Sequence, residues 1–321
     1  MRPSLQARLL QGQEGDPGLY VQALHQAETA LLDCGDLAGL SPRELLRVGA
    51  LLISHAHMDH WADVDRLLRV LIGREKTLRV MGPEGLAARL RHRLLSYSWN
   101  LVDRIAPVLG FEVTEVPSGA RRRFLLQTGF AEEVLPPAAP ALQLGCMQIS
   151  AAVFEHEIPS IGYAIAEAAH INVWANRLEA RGLPKGPWLT ALKQALRDGR
   201  GDDHAVAMPG GAQPLGALRD LVSITPGQRL AYITDLADTP GNRAAAVALA
   251  QGADTLFIEA PFLQADAAHA AARRHLTARA AGEIARAAGA RRLQVFHFSP
   301  RYQGRFEELE AEAQAAFGAA A

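Results

Sequence analysis

A chain of 321 residues is long enough to bury a sizeable core, as one large domain or two smaller ones. Its hydrophobic share of 49%, charged share of 21% and formal net charge of -1 fit a globular chain and exclude a surface that binds polyanions all over, so any nucleic-acid contact must be a local patch. No eighteen apolar residues run together, the N-terminus lacks an apolar stretch of signal-peptide length, and Cys34 and Cys146 are too few for a disulfide framework; a soluble cytoplasmic protein is expected.

Residues 20–24 and 28–32 read as two short strands with a tight connection. Ser41-Pro42-Arg43-Glu44 places Ser at the N-cap, Pro at N1 and Glu at N3 of a short helix ending near Val48. The stretch A-L-L-I-S-H-A-H-M-D-H-W-A-D then carries an apolar strand into His55, His57, Asp59 and His60. Side chains alternate along a strand, so His55 and His57 share a face and can grip one ion. Met58 begins a turn that would aim Asp59 and His60 at a second ion, before a helix over 62–72. A strand over 77–81 and a helix over 85–97 continue an α/β alternation. Cys34, in L-L-D-C-G-D, reads as a buried inert thiol.

From 111 to 165 the texture turns to β, in F-E-V-T-E-V, R-F-L-L-Q-T, M-Q-I-S-A-A-V-F and G-Y-A-I-A. Residues 135–140 hold three prolines and form a loop, and R-R-R at 121–123 reads as a charged turn between strands. The V-F strand ends at Glu155-His156-Glu157. Residues 167–225 contain a helix-turn-helix with Gly-rich and Pro-rich flanks, read as an inserted arm within a single 1–321 domain. Between 171 and 200, Arg177, Arg181, Lys185, Lys193, Arg197 and Arg200 stand against Glu179 and Asp198, a local charge of +4. Such an arm either grasps an extended polyanion or is a solvated helical hairpin.

A strand over 229–234 ends on Asp235, and a helix over 242–250 leads to a strand over 255–258 that ends on Glu259. His275-Leu276-Thr277 opens a helix through 288, a strand over 293–296 ends at His297, and a last helix from Arg305 runs into an Ala-rich tail expected to fray. Chemistry-bearing residues thus recur at strand ends, where sites in α/β sheets gather. His25, His92, His170, His204 and His269 lack such a context and are assigned to surface or packing.

H-A-H-M-D-H at 55–60, H-E-I-P-S-I-G-Y at 156–163, Asp235 in T-D-L-A-D-T-P, I-E-A-P-F at 258–262, H-L-T-A at 275–278 and H-F-S-P-R-Y at 297–302 together resemble the metallo-β-lactamase superfamily, the last two its ribonuclease Z branch. The resemblance implies an α/β (α+β) fold: a four-layer αββα sandwich with an inserted helical arm and two Zn(2+) ions, or other divalent metals such as Mn(2+). His55, His57 and His156 would hold one zinc and Asp59, His60 and His297 the other, with Asp235 bridging them and a hydroxide between the metals attacking phosphorus. Asp59, His275 and Glu259 are the expected catalytic residues, His275 as proton donor to the leaving oxygen and Glu259 as the group orienting a histidine.

The activity implied is phosphodiester cleavage, with the 3′ end of precursor tRNA as leading substrate and a homodimer as the expected assembly. The alternative is a small ester, sulfate ester, lactone or cyclic nucleotide on the same metals. Lys185-Gly186-Pro187-Trp188 resembles the Gly-Pro element of the family's tRNA-capturing arm. There Trp188 either stacks on a base or sugar or anchors the two helices. Arg301 is a further substrate-binding candidate. The chain has no counterpart of the family's P-x-K-x-R-N element before Asp33, reads H-L-T-A for H-S/T-T-A, and carries an apparent addition over 118–140. Di-iron members of the superfamily place a carboxylate where His57 stands, so zinc is expected over a redox iron site.

Overall fold

The strands Thr29–Leu32 and Val48–Leu52 are buried on both faces, and the alternation of their side chains sorts the molecule into layers. A computed structural model describes residues 4–13 and 15–319. Leu31, Leu51 and Ile53 pack with Val64, Leu67, Leu71, Leu86 and Leu90 from helices outside the sheet. Ala30, Leu32, Ala50 and Leu52 point the other way, into a core with Ile161, Tyr163, Leu230, Tyr232 and Phe257 from a second sheet. That second sheet turns Ala231, Ile233 and Ile258 outward against Ala246, Leu249, Ile284 and Leu309 of its own helices. Four αββα layers result, as expected. Each fully buried leucine in these interfaces contributes about 1.5–3 kcal/mol.

Among the described residues the first sheet has eight strands in chain order, from Leu5–Leu9 to Glu132–Leu135. The second has six, in the order Leu293–Phe296, Thr255–Glu259, Arg229–Ile233, Ser160–Glu167, Met147–Phe154, Ala141–Leu144. Thr29–Leu32, Val48–Leu52, Lys76–Pro83 and Leu109–Val116 run parallel, as do Arg229–Ile233, Thr255–Glu259 and Leu293–Phe296. The Ser41 capping box forms, with Glu44 N donating to Ser41 Oγ and Ser41 N to Glu44 Oε2. Thr277 caps the helix Ala278–Ala287 by accepting from Ala280 N.

The R-R-R run is a strand, Arg121–Leu125, and not the expected turn. It pairs antiparallel with Leu109–Val116 and Glu132–Leu135. Arg123 reaches Glu112 at 2.7 Å and Arg122 reaches Glu132 at 3.0 Å, so glutamates on both neighbouring strands neutralise the arginines within the sheet. Residues 118–140 therefore add two strands to the first sheet.

The chain divides into two compact units, one up to Ala166 and from Arg229 onward, the other Glu167–Gln228. The second unit contains the helices Ala175–Ala180 and Trp188–Arg197. It also contains two ribbons that its sequence did not announce, His170–Val173 with Val222–Thr225 and Ala205–Met208 with Gly211–Pro214. Its own small core joins Leu178, Trp188, Leu192, Val206, Leu215 and Leu221. Among the described residues no helix is long and apolar enough to cross a membrane. Ala320 and Ala321, the end of the Ala-rich tail, lie outside the described residues.

Candidate metal centre

Strand ends deliver most of the candidate residues. Val48–Leu52 leads to His55 and His57, Met147–Phe154 to His156, Arg229–Ile233 to Asp235, Thr255–Glu259 to Glu259 and Leu293–Phe296 to His297. Asp59 and His60 ride on a short helix, Met58–Trp61, where a turn was expected. Asp235 and His297 adopt positive φ values of 49° and 62°. Residues other than glycine hold that conformation at some expense, and such positions cluster at working sites.

Asp235, 3% exposed, lies between two groups of imidazoles. Its Oδ2 is 3.7 Å from His55 Nε2 and 3.6 Å from His156 Nε2. Its Oδ1 is 3.4 Å from His60 Nε2 and 3.1 Å from His297 Nδ1. His57 Nδ1 is 2.8 Å from His55 Nε2. Asp59 Oδ2 stands 3.4 Å from His60 Nε2 and 3.6 Å from His297 Nε2. Three sets of ligand atoms converge within 4.8 Å: His55, His57, His156 and Asp235; Asp59, His60 and His297; and Asp235, Glu259, His275 and His297.

The electrostatics show what the cluster lacks. Burial, reinforced by neighbouring His60, pushes the His55 imidazole down to about 3. Burial also opposes charge on His60, but Asp235 and Asp33 outweigh it and lift that ring to about 10. Burial would raise the Asp235 carboxyl, yet His297 and His60 hold it well below the usual range. Asp235 thus draws positive charge from His60 and His297, and protons held there occupy nitrogens that would otherwise be ligands. His60 Nε2 and His297 Nδ1 are buried without a hydrogen-bond partner, the latter despite its 3.1 Å approach to Asp235. A buried polar atom left unpaired costs about 1–3 kcal/mol. Divalent cations among these nitrogen and carboxylate donors would remove both problems, and the donor set, free of sulfur, suits zinc or a similar ion.

Partners behind the cluster fix its orientation. Asp33, fully buried, accepts from Ser54 N at 2.7 Å, Ser54 Oγ at 2.8 Å, Tyr232 OH at 2.9 Å and His60 Nδ1 at 3.0 Å. His60 Nε2 is thereby left for the centre. His156 Nδ1 donates to the Arg274 carbonyl at 2.9 Å. His275 Nδ1 donates to Glu259 Oε2 at 2.8 Å, and Glu259 Oε1 accepts from Leu276 N at 3.0 Å. Burial lowers the proton affinity of His275, but Glu259 overrides it, so the net shift is upward. Sequence reasoning missed Asp33 and Arg274. The only signal for Asp33 was a lone acid closing the apolar run L-L-D, and Arg274 acts through its carbonyl, which no sequence displays. Cys34 is buried as expected, its thiol pushed well up by burial and Asp33.

The candidate substrate residues divide. Lys185 is exposed and Pro187 stands at the N-cap of Trp188–Arg197, beside Gly186. Trp188 is 5% exposed and donates from Nε1 to the Pro184 carbonyl at 2.9 Å. Its burial favours the anchoring role over the stacking one. Arg301 approaches Asp266 at 3.4 Å. His275 and His297 open onto a cleft of about 280 Å³ that Phe262, His269, Arg273 and Ser299 also line.

Residues 30–171 match the family described as a beta-lactamase superfamily domain. Ribonuclease Z of Deinococcus radiodurans is 34% identical over 301 residues, covering 90% of this chain and 88% of that protein. Ribonuclease Z of Thermobifida fusca is 35% identical over 292 residues, covering 87% and 76%. Among solved structures, a metallo-beta-lactamase fold protein from Bacillus subtilis superposes with a TM-score of 0.58 at 16% identity, covering 98% of this chain and 93% of its own. Human tRNase Z, short form, gives 0.52 at 17% identity, covering 92% and 93%.

Proposed function

This chain belongs to the ribonuclease Z family, and from that premise we propose that it is a dinuclear zinc phosphodiesterase acting at the 3′ end of precursor tRNA. That it is a metal-dependent hydrolase follows from the family itself. The observation that carries the two-ion reading is the division of Asp235, one oxygen facing His55 and His156 and the other His60 and His297. In this reading His55, His57 and His156 would hold one cation and Asp59, His60 and His297 the other, with Asp235 shared between them. When bound, such a pair supplies an activated water and positive charge for displacement at phosphorus.

The protein's own groups do the rest. His275, tied through Nδ1 to Glu259, keeps its proton and gives it to the leaving oxygen from Nε2. Asp59, with a side chain 44% exposed beside buried Asp235 and Glu259, is the carboxylate that solvent reaches. We assign it to receive the proton of the entering water. On the arm, Arg181 pairs with Asp220 at 2.6 Å, whereas Lys185, Lys193 and Arg197 have no ion pair among the described residues and are free for phosphates. Family membership supports extending the proposal to a cytoplasmic homodimer, which light scattering checks.

The test offers zinc-loaded protein a 3′-extended tRNA precursor and, separately, bis(p-nitrophenyl) phosphate. His275→Ala should slow RNA cleavage by about a hundredfold with both metals retained and slow the small diester far less, because p-nitrophenolate leaves without a proton; loss of metal instead makes His275 a ligand. Replacing Lys185, Lys193 and Arg197 by Gln should weaken RNA cleavage alone and flatten its salt dependence. Turnover of the small diester without RNA cleavage would move the substrate to a small ester, sulfate ester, lactone or cyclic nucleotide.

A further inference from the structure

The cleft that opens from His275 extends beyond the metal centre, and its far wall has no role in the chemistry described so far. Phe262 stands in its middle, with ring centroids 6.1 Å from His275 and 5.1 Å from His269. His269, set aside on sequence as a packing residue, is therefore one ring removed from the proton donor. Arg273 completes the wall. Its neighbours are committed elsewhere: Arg274 donates to the His156 carbonyl at 3.2 Å, Arg279 pairs with Glu283 at 3.1 Å, and Arg301 with Asp266 at 3.4 Å. Arg273 is exposed and, among the described residues, its guanidinium has no ion pair or hydrogen bond.

Among the described residues no carboxylate lines this cleft, and Ser299 joins Arg273 and His269 as a potential donor. Asp16 lies near Asp59: a Cβ built on Gly35 would meet the Asp59 backbone O at 1.7 Å and Asp16 Cβ at 2.6 Å.

We propose that Arg273 and His269 form a subsite for the phosphate next to the scissile one, on the side of the leaving oxygen. The inference rests on the phosphodiesterase reading above. In that reaction water forms the new bond to phosphorus, the bond from phosphorus to the 3′-oxygen breaks, and that oxygen takes its proton from His275. The downstream fragment keeps the phosphate at its 5′ end. The nucleoside bearing the 3′-oxygen lies beside His275, and the next phosphate on that nucleoside is at its 5′-oxygen, within reach of the Arg273 wall. A guanidinium suits it because its fork of donors matches phosphate oxygens.

Two measurements decide the matter. The first compares a dinucleoside monophosphate with the same compound phosphorylated at its 5′ end. The added phosphate should raise kcat/KM about tenfold in the wild type, the scale of one charge-assisted hydrogen bond. Arg273→Gln should erase that gain and leave the unphosphorylated compound unchanged. No gain in the wild type, or a gain that survives Arg273→Gln, overturns the subsite. The second follows the His269 ring protons by NMR while cytidine 5′-monophosphate is added to metal-free protein. A saturable shift, at least tenfold weaker in Arg273→Gln, is expected; a resonance that does not move overturns the subsite even if RNA is cut. A saturable shift without cleavage of either dinucleotide overturns the phosphodiesterase reading and leaves the anion site standing.

Discussion

Replacing Asp33 by Asn changes one atom behind the metal centre, and the structure dictates what must follow. Asp33 Oδ1 accepts from Ser54 N at 2.7 Å, so the amide carbonyl has to take that place; the reverse orientation would set N–H against N–H. The amide nitrogen then occupies the position of Oδ2, facing Ser54 Oγ, Tyr232 OH and His60 Nδ1. Both hydroxyls can rotate to accept, but a protonated imidazole nitrogen cannot. With its Asp33 acceptor gone and Ser54 Oγ, 3.1 Å from Nδ1, engaged by the new amide, His60 shifts its proton to Nε2, the atom that stands 3.4 Å from both Asp59 and Asp235. A nitrogen carrying a proton cannot ligate. Metal affinity at the His60 position should fall about 10- to 100-fold, equivalent to about 1.4–2.8 kcal/mol, with the His55 position less affected. Competition against a chromophoric chelator measures this, and urea unfolding of the metal-free proteins separates it from a stability loss of about 1–3 kcal/mol. Asp33→Asn with wild-type affinity at both positions would refute the tautomer reasoning.

Asp235→Ala should lower metal content and activity together, since both sets of imidazoles face that one carboxylate; elemental analysis showing unchanged stoichiometry rejects the bridging assignment. Trp188→Ala should cost about 3–5 kcal/mol within the unit Glu167–Gln228, seen as lost hydrogen-exchange protection there. Hydrolysis of bis(p-nitrophenyl) phosphate should stay at the wild-type rate, and a fall in that rate would contradict a purely local anchoring role.

Much of the centre was readable because its residues are dense or recur at one structural place. His55, His57, Asp59 and His60 lie within six positions, and His156, Asp235, Glu259 and His297 each follow or close an apolar run. The rule that sites gather at the carboxyl ends of strands supplied the convergence. Residues defined by contacts alone stayed hidden. Asp33 meets His60 across 27 positions and Arg274 meets His156 across 118, and neither partnership has a local signature. The ribbons of the arm are four residues long, too short for periodicity to register. The three arginines misled because a strand is expected to alternate apolar and polar residues, whereas here charge is balanced between strands. His269 acquired meaning only when the helix Ala267–Ala272, an unpatterned alanine run, brought it against Phe262.

The two strands that residues 118–140 add to the first sheet bear on how the protein behaves in a crowded solution. Glu132–Leu135 is the outermost strand, and an outermost strand is a template onto which a stray chain can add. Here the template is four residues long, and Glu132 and Glu133 are exposed along it with Arg122 and Arg123 behind them. An incoming copy in register would set carboxylate against carboxylate. The pairing that lets arginine sit in a sheet therefore also guards an open edge against self-association, and colloidal stability is built into the same ion pairs.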